Sequence, residues 1–366
     1  MRFLSAALCT AVAGALLASC SGTGSSPSSS EMPGGAAKVS QAGHNGVIMN
    51  LIPKRFLPTK WDGRLHGRKA PAQAIRGIYI SEDLGTSLLG YAKNNSANGP
   101  SICSESPVSF PRGIATDTGG NLIEPDGLSS VNVYTGPSMC GPLAGTISDR
   151  YGGPIDAAAT NAMTGSIAVA NEYDTPSGPG SISVCSLGTG CTANLTNPAM
   201  SLVAGVAMAA NGDCWADAVN ASNVATLTYF AGCTGAGVQA TGFTNPYWGG
   251  LDIDNHGNLV TISLFGPGHS ATSQMYVYSG CHPACTLVGG PFPLTPGGSQ
   301  TGGMALFGHL GRQNERFITA DFVYGQADIF AYTGHGRGLS YLYSFNNGLS
   351  ASLFPEGAAY SPRSPK

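Results

Sequence analysis

One unit, repeated six times, constrains this chain more than any other feature. Its clearest copy lies at residues 249–280: Gly249-Gly250-Leu251-Asp252-Ile253-Asp254-Asn255-His256-Gly257-Asn258-Leu259-Val260, a run to Phe265, a polar loop, then Gln274-Met275-Tyr276-Val277-Tyr278-Ser279. β-Branched and aromatic runs broken by Asn-His-Gly-Asn and by a Gly/Pro/Ser cluster predict three short strands, over 251–254, 259–265 and 275–279. The first strand of the unit recurs as Gly113-Ile114-Ala115-Thr116, Ile155-Asp156-Ala157-Ala158, Gly205-Val206-Ala207-Met208, Gly303-Met304-Ala305-Leu306 and Gly357-Ala358-Ala359-Tyr360, at spacings of roughly 40 to 54 residues.

Turn pairs that supply positive φ, Gly120-Asn121, Asn211-Gly212 and Gly257-Asn258, lead from each first strand into a second. Third strands alternate apolar and polar positions at 130–134, 181–185, 225–230 and 327–332, and weaker outer strands fall at 145–147, 286–288 and 341–345. A period of this length is that of a four-stranded propeller blade. The two ends complement one another: residues 77–82 and 87–92 are a second and a third strand with no first, and residues 356–360 are a first strand with nothing after it. The expectation is therefore an all-β, six-bladed β-propeller over 77–366, closed by the C-terminal strand so that no sheet edge is left open at the seam. A seven-bladed ring is the alternative if residues 47–52 add a strand.

Composition agrees with a turn-rich, weakly charged body. Gly numbers 53 of 366 residues, 42% of residues are hydrophobic, and charged residues make up 10%, against about 25% in an average protein. A net charge of −3 gives no electrostatic footprint for nucleic acid. The N-terminus is different in kind. Met1-Arg2 precedes an apolar stretch too short for a comfortable membrane span, ending at Leu17-Ala18-Ser19-Cys20. This resembles the lipobox of bacterial lipoproteins, which implies a signal peptide over 1–19, lipidation of Cys20, and export to the outer membrane, cell surface or periplasm. Residues 20–46 are a flexible Ser/Gly/Pro tether. Residues 47–76 carry Lys54, Arg55, Lys60, Arg64, Arg68, Lys69 and Arg76, a basic lead-in that either packs on the domain edge or is drawn to anionic lipid or polysaccharide.

The segments Ile114-Ala115-Thr116-Asp117, Gly120-Asn121-Leu122 and Asp254-Asn255-His256-Gly257-Asn258-Leu259, with the Val-Tyr strands after them, resemble NHL-type propeller repeats. The whole layout is similar to that of uncharacterised bacterial lipoproteins of that fold. The resemblance implies architecture and leaves activity open, because propellers host hydrolases, lyases and pure binding surfaces. Outside the leader and Cys20, eight cysteines remain, an even number that suits disulfides in an exported chain. Cys185 with Cys191, Cys281 with Cys285, and Cys214 with Cys233 are the expected pairs; the pairing of Cys103 and Cys140 is open.

Acidic residues recur where second strands end: Glu82, Asp83, Asp126, Glu172, Asp217 and Asp321. All would lie on one face near the central channel. Either they accept backbone amides at turns, or some converge on a divalent cation. Gluconolactonase-like hydrolases share the six-bladed form and bind a metal at the channel, and Pro355-Glu356-Gly357 resembles their opening motif. The seven histidines form no ligand-like spacing and are expected at the surface, and Trp215, Phe243, Tyr247, Trp248 and Phe265 either pack between blades or offer a stacking surface for sugar or peptide. The reading that follows is a lipid-anchored binding or scaffolding module for a protein, peptide or saccharide at the cell envelope. The alternative is a divergent metal-dependent hydrolase or lyase.

Overall fold

The structure, a computed structural model, describes residues 77–361 apart from 107, 137–138, 175–177, 298–301, 312–314 and 334. The expectations for the signal peptide, Cys20, the tether and the basic lead-in lie outside the described residues. Among the described residues, twenty-four strands form six four-stranded antiparallel sheets. Blade 1 comprises β1 (Gly77–Glu82), β2 (Leu88–Ala92), β3 (Cys103–Glu105) and the closing strand β24 (Pro355–Ser361), and blade 2 comprises β4 (Ala115–Thr116), β5 (Leu122–Pro125), β6 (Ser130–Tyr134) and β7 (Leu143–Ser148). Blade 3 is β8 (Gly152–Ala159), β9 (Ile167–Asp174), β10 (Ser181–Ser186) and β11 (Gly190–Leu195), and blade 4 is β12 (Leu202–Met208), β13 (Cys214–Val219), β14 (Ala225–Phe230) and β15 (Val238–Gln239). Blade 5 contains β16 (Leu251–Ile253), β17 (Leu259–Ser263), β18 (Gln274–Ser279) and β19 (Thr286–Pro293), and blade 6 contains β20 (Gly308–Leu310), β21 (Arg316–Asp321), β22 (Gln326–Thr333) and β23 (Gly338–Phe345). This is a six-bladed β-propeller.

The ring closes as the unpaired ends require. β24 pairs antiparallel with β1, in the register Gly77↔Ser361 through Ile80↔Ala358, so the last strand is the innermost of the first blade. Apolar packing respects the same closure. Six buried clusters fill the interfaces between successive blades, and the cluster at the seam joins Ile318, Ala320 and Ile329 of blade 6 to Ile78, Ile80, Ala358 and Tyr360 of blade 1. A closed ring leaves both faces of every inner strand buried, and β8, β12 and β24 are buried along their whole lengths.

Two local rules explain the repeat. The Asp-x-x-Gly-Asn turn is held by its own carboxylate: Asp117 accepts the Asn121 backbone amide (2.9 Å) and side-chain amide (2.7 Å), and Asp254 does the same for Asn258 (2.9 Å each). The glycine between them, Gly120 or Gly257, takes the left-handed φ that closes the turn. The glycine in or just before an inner strand has a different cause. A Cβ on Gly357 would lie 2.2 Å from the Arg112 carbonyl oxygen, one on Gly113 2.6 Å from that of Ile155, and one on Gly205 2.4 Å from that of Gly249. Inner strands approach backbone to backbone around the axis, and a side chain there would push blades apart.

Blade 6 departs from expectation. Gly303-Met304-Ala305-Leu306 is not its inner strand; that strand is β20, a few residues later. The earlier run bonds to loops: Gly303 O accepts Ser273 N, Ala305 N donates to Ser273 Oγ, and Leu306 O accepts Gly250 N. Among the described residues four disulfides are present, Cys103–Cys140, Cys185–Cys191, Cys214–Cys233 and Cys281–Cys285. The last three lie within single blades, whereas Cys103 on β3 and Cys140 before β7 join blade 1 to blade 2.

Candidate functional site

Loops leading into inner strands and loops leaving second strands share one face of the ring. At its centre stands Arg112, which immediately precedes the glycine that leads into β4. Its guanidinium is bidentate to Glu356 at the start of β24 (Nε to Oε2 2.9 Å, Nη2 to Oε1 3.2 Å) and donates from Nη1 to Glu172 Oε2 near the end of β9 (3.2 Å). Asp83, just after β1, lies further off, with Oδ1 3.9 Å from Nε. These side chains are 0–2% exposed. One cation thus gathers carboxylates from blades 1 and 3 onto the lead-in of blade 2.

Burial sets the charge state. Removal from water by itself would weaken the Arg112 cation, but the carboxylates of Glu356, Asp83 and Glu172 outweigh it and raise its pKa above the ordinary value. Asp83 is pushed well above the usual carboxylate range by burial and then by repulsion from Glu356, with Arg112 opposing. Glu172 is raised to about 7, again by burial, with Arg112 pulling down and Glu356 pushing up. Arg112 therefore keeps its charge, and burial inclines Asp83 and Glu172 to keep their protons.

An apolar plug surrounds this pair. Ile155, Tyr173, Leu202, Tyr247, Trp248, Phe265, Leu306, Phe307, Phe322 and Phe354 form one buried cluster that reaches the axis from five blades. Leu84, Ala271 and Val323, all in loops after second strands, pack on it from outside. Tyr247 and Trp248 are 0% exposed and meet edge to face at 6.1 Å, and Phe322 stacks on Phe354 at 4.6 Å. Of the aromatics read as packing or stacking groups, Trp215 and Phe265 are buried as well. These side chains are closed to solvent.

The other acidic candidates are held separately. Glu82 accepts the Ser350 amide (3.1 Å), Asp126 the amides of Leu128, Ser129 and Ser130 (2.9 Å each), and Asp321 those of Val323 (2.9 Å) and Tyr324 (3.2 Å). Asp217 is fully buried beside the backbone amides of Gly249 and Ala218, and burial raises its pKa well above the carboxylate range. Among the described residues the sole trio with ligand atoms within 4.8 Å of one another is Asp149, Cys185 and Cys191, and those cysteines are bonded to each other. The donor set at the channel mouth does not suit a divalent cation either, because the Arg112 guanidinium occupies the position that an ion shared by Glu172 and Glu356 would take.

His309 differs from the surface position expected of histidines. It lies buried on β20, with Nδ1 3.5 Å from Asp252 Oδ2. Asp252 and Asp156, both on inner strands, accept amides of the next blade's inner strand, Leu310 N (2.8 Å) and Val206 N (3.0 Å), and so stitch neighbouring blades.

No protein-family model matches this chain, and no curated protein does. Solved structures do resemble it in fold. A nidogen/laminin complex matches at TM-score 0.52 and 12% identity, over 79% of this chain and 99% of that one. A hypothetical selenium-binding protein from Sulfolobus tokodaii matches at 0.52 and 9%, over 78% and 76%. A protein of unknown function from Bacteroides caccae matches at 0.51 and 9%, over 79% and 100%. At these identities the likeness concerns the fold alone.

Proposed function

We propose that this chain is an exported, lipid-anchored propeller of NHL-like repeats that serves as a binding or scaffolding module at the cell envelope. The observation that carries the reading is the burial of Arg112 and its carboxylates beside the apolar cluster. Glu356 and Glu172, the carboxylates a cation at this point would need, are paired with the buried Arg112 instead, so the accessible chemistry lies on the loops outside it. Four disulfides suit an oxidising compartment. The lipobox-like Leu17-Ala18-Ser19-Cys20 would supply the anchor. A nidogen/laminin complex has a propeller of similar fold, an instance of this architecture in a protein–protein complex.

The test begins with the purified mature protein. Metal content and turnover of lactones and esters are measured together; a stoichiometric divalent metal whose removal abolishes turnover overturns the proposal in favour of the hydrolase. For the binding role, a photoreactive residue at Val323 on the loop face is expected to give discrete cross-links in intact cells, and one at Asn255 on the opposite face is not. Equal labelling from both faces would remove the assigned surface. Loss of radiolabelled palmitate in Cys20→Ala checks the anchor.

A further inference from the structure

On the face opposite Arg112, two exposed histidines from neighbouring blades touch. His256 lies in the turn between β16 and β17 of blade 5, and His335 in the turn between β22 and β23 of blade 6; their ring centroids are 3.9 Å apart and their planes meet at 66°. We propose that this pair is a surface binding site for a borderline divalent transition-metal ion of the zinc and copper class, with each imidazole giving one nitrogen and water completing the coordination.

Imidazole suits these ions, whereas magnesium and calcium prefer oxygen. With metal–nitrogen bonds of about 2.0–2.1 Å, two imidazoles on one ion have centroids roughly 4.5–5 Å apart. The observed pair needs to open by about 1 Å, a change that exposed side chains make by rotation about χ1 and χ2. The backbones carrying them are held much more firmly. Asp254 accepts the His256 amide (2.8 Å) through one oxygen and the Tyr332 hydroxyl (3.0 Å) through the other, so a single carboxylate ties the first turn to the strand that leads into the second. The second turn is wedged against blade 5: a Cβ on Gly336 would lie 2.6 Å from Val277 Cγ1, and one on Gly289 1.7 Å from the Gly336 carbonyl oxygen. His335 itself has φ of 57°, a left-handed conformation that a side-chain-bearing residue adopts at some cost. Two ligands presented on fixed turns bind as a chelate, and chelation raises affinity about 100-fold or more over one imidazole.

Untagged mature protein is dialysed against zinc chloride in excess magnesium. The expected result is one tightly held zinc per chain, with affinity lowered about 100-fold in both His256→Ala and His335→Asn. Asn is chosen because it tolerates the left-handed backbone. His269→Ala, which removes a different exposed histidine, leaves binding unchanged. With copper in place of zinc, the electron paramagnetic resonance spectrum should show two equivalent nitrogens, a readout that a folding defect does not imitate. If wild type takes up no zinc, or if His256→Ala binds as wild type does, the site does not exist; His256→Ala decides alone should His335→Asn fail to fold.

Discussion

Replacing Arg112 by Met removes the cation on which both ends of the propeller converge, and the size of the effect follows from the geometry. Glu356 loses both of its guanidinium hydrogen bonds, Glu172 loses one, and Asp83 loses the charge 3.9 Å away, all in a region that is 0–2% exposed. Breaking a buried ion pair from one side costs about 3–5 kcal/mol, because the remaining charge is stranded. The stranded carboxyl can escape by taking a proton, and that escape depends on pH. Keeping one carboxyl neutral costs about 1.4 kcal/mol for each pH unit above its unfolded pKa of about 4.3. The variant should therefore be destabilised by about 1–2 kcal/mol at pH 5 and by about 3–5 kcal/mol at pH 8, where protonation no longer offers a cheaper route. At roughly 2 °C per kcal/mol for a body of this size, the loss at pH 8 lowers Tm by about 6–10 °C. Urea unfolding of wild type and variant at the two pH values, with disulfides intact, measures the difference. Arg112→Met with Glu356→Gln should recover part of the loss at pH 8, since it removes the stranded charge. A loss below about 1 kcal/mol at pH 8, or one that does not change with pH, would refute the reasoning and leave Arg112 as filler of the plug.

Three further outcomes follow from the same structure. Burial raises Glu172 and Asp156 to about 7, so between the unfolded carboxylate range and pH 7 the native state holds more protons than the unfolded one; stability is greatest near pH 5 and declines toward pH 7.5, and calorimetry showing Tm rising over that interval would contradict it. The Cys103–Cys140 bridge closes a separation of 37 residues and the Cys281–Cys285 bridge one of 4, so chain-entropy arithmetic assigns about 4 kcal/mol to the first and about 2 kcal/mol to the second; paired Cys→Ser variants compared by urea unfolding should rank in that order. Deleting residues 355–366 strips β1 of its inner partner and removes Ala358 and Tyr360 from the seam, a loss of about 5 kcal/mol or more from Tyr360 and its ladder, and a truncated chain that melts with wild type would show that the ring does not depend on its closing strand.

Much of the architecture can be read from sequence because propeller turns are local. Asp254-x-x-Gly257-Asn258 makes its bonds within five residues, so the motif and its geometry are the same statement, and β6 and β14 begin and end where alternation places them. The errors arise where pairing is decided elsewhere. Residues 303–306 have the composition of an inner strand, yet their partners are the Ser273 hydroxyl and the backbone amides of Gly250, Ser273 and Phe322; β20, with His309 at its centre, holds the ladder. The site was half visible for a similar reason. Glu172 and Asp83 stand out because second strands end in acids, but the cation that organises them is 60 positions from Glu172 and 244 from Glu356. No local spacing announces such a group. A comparison of equivalent positions does: Arg112-Gly113 just before β4 and Glu356-Gly357 at the start of β24 belong to the inner strands of adjacent blades, and carry opposite charges one residue before a glycine that packs on its neighbour's backbone. Opposite charges set at the same place in consecutive repeats must face each other across the blade interface, so in a closed ring the residue before the inner-strand glycine is where a charged contact between the first and second blades is to be sought.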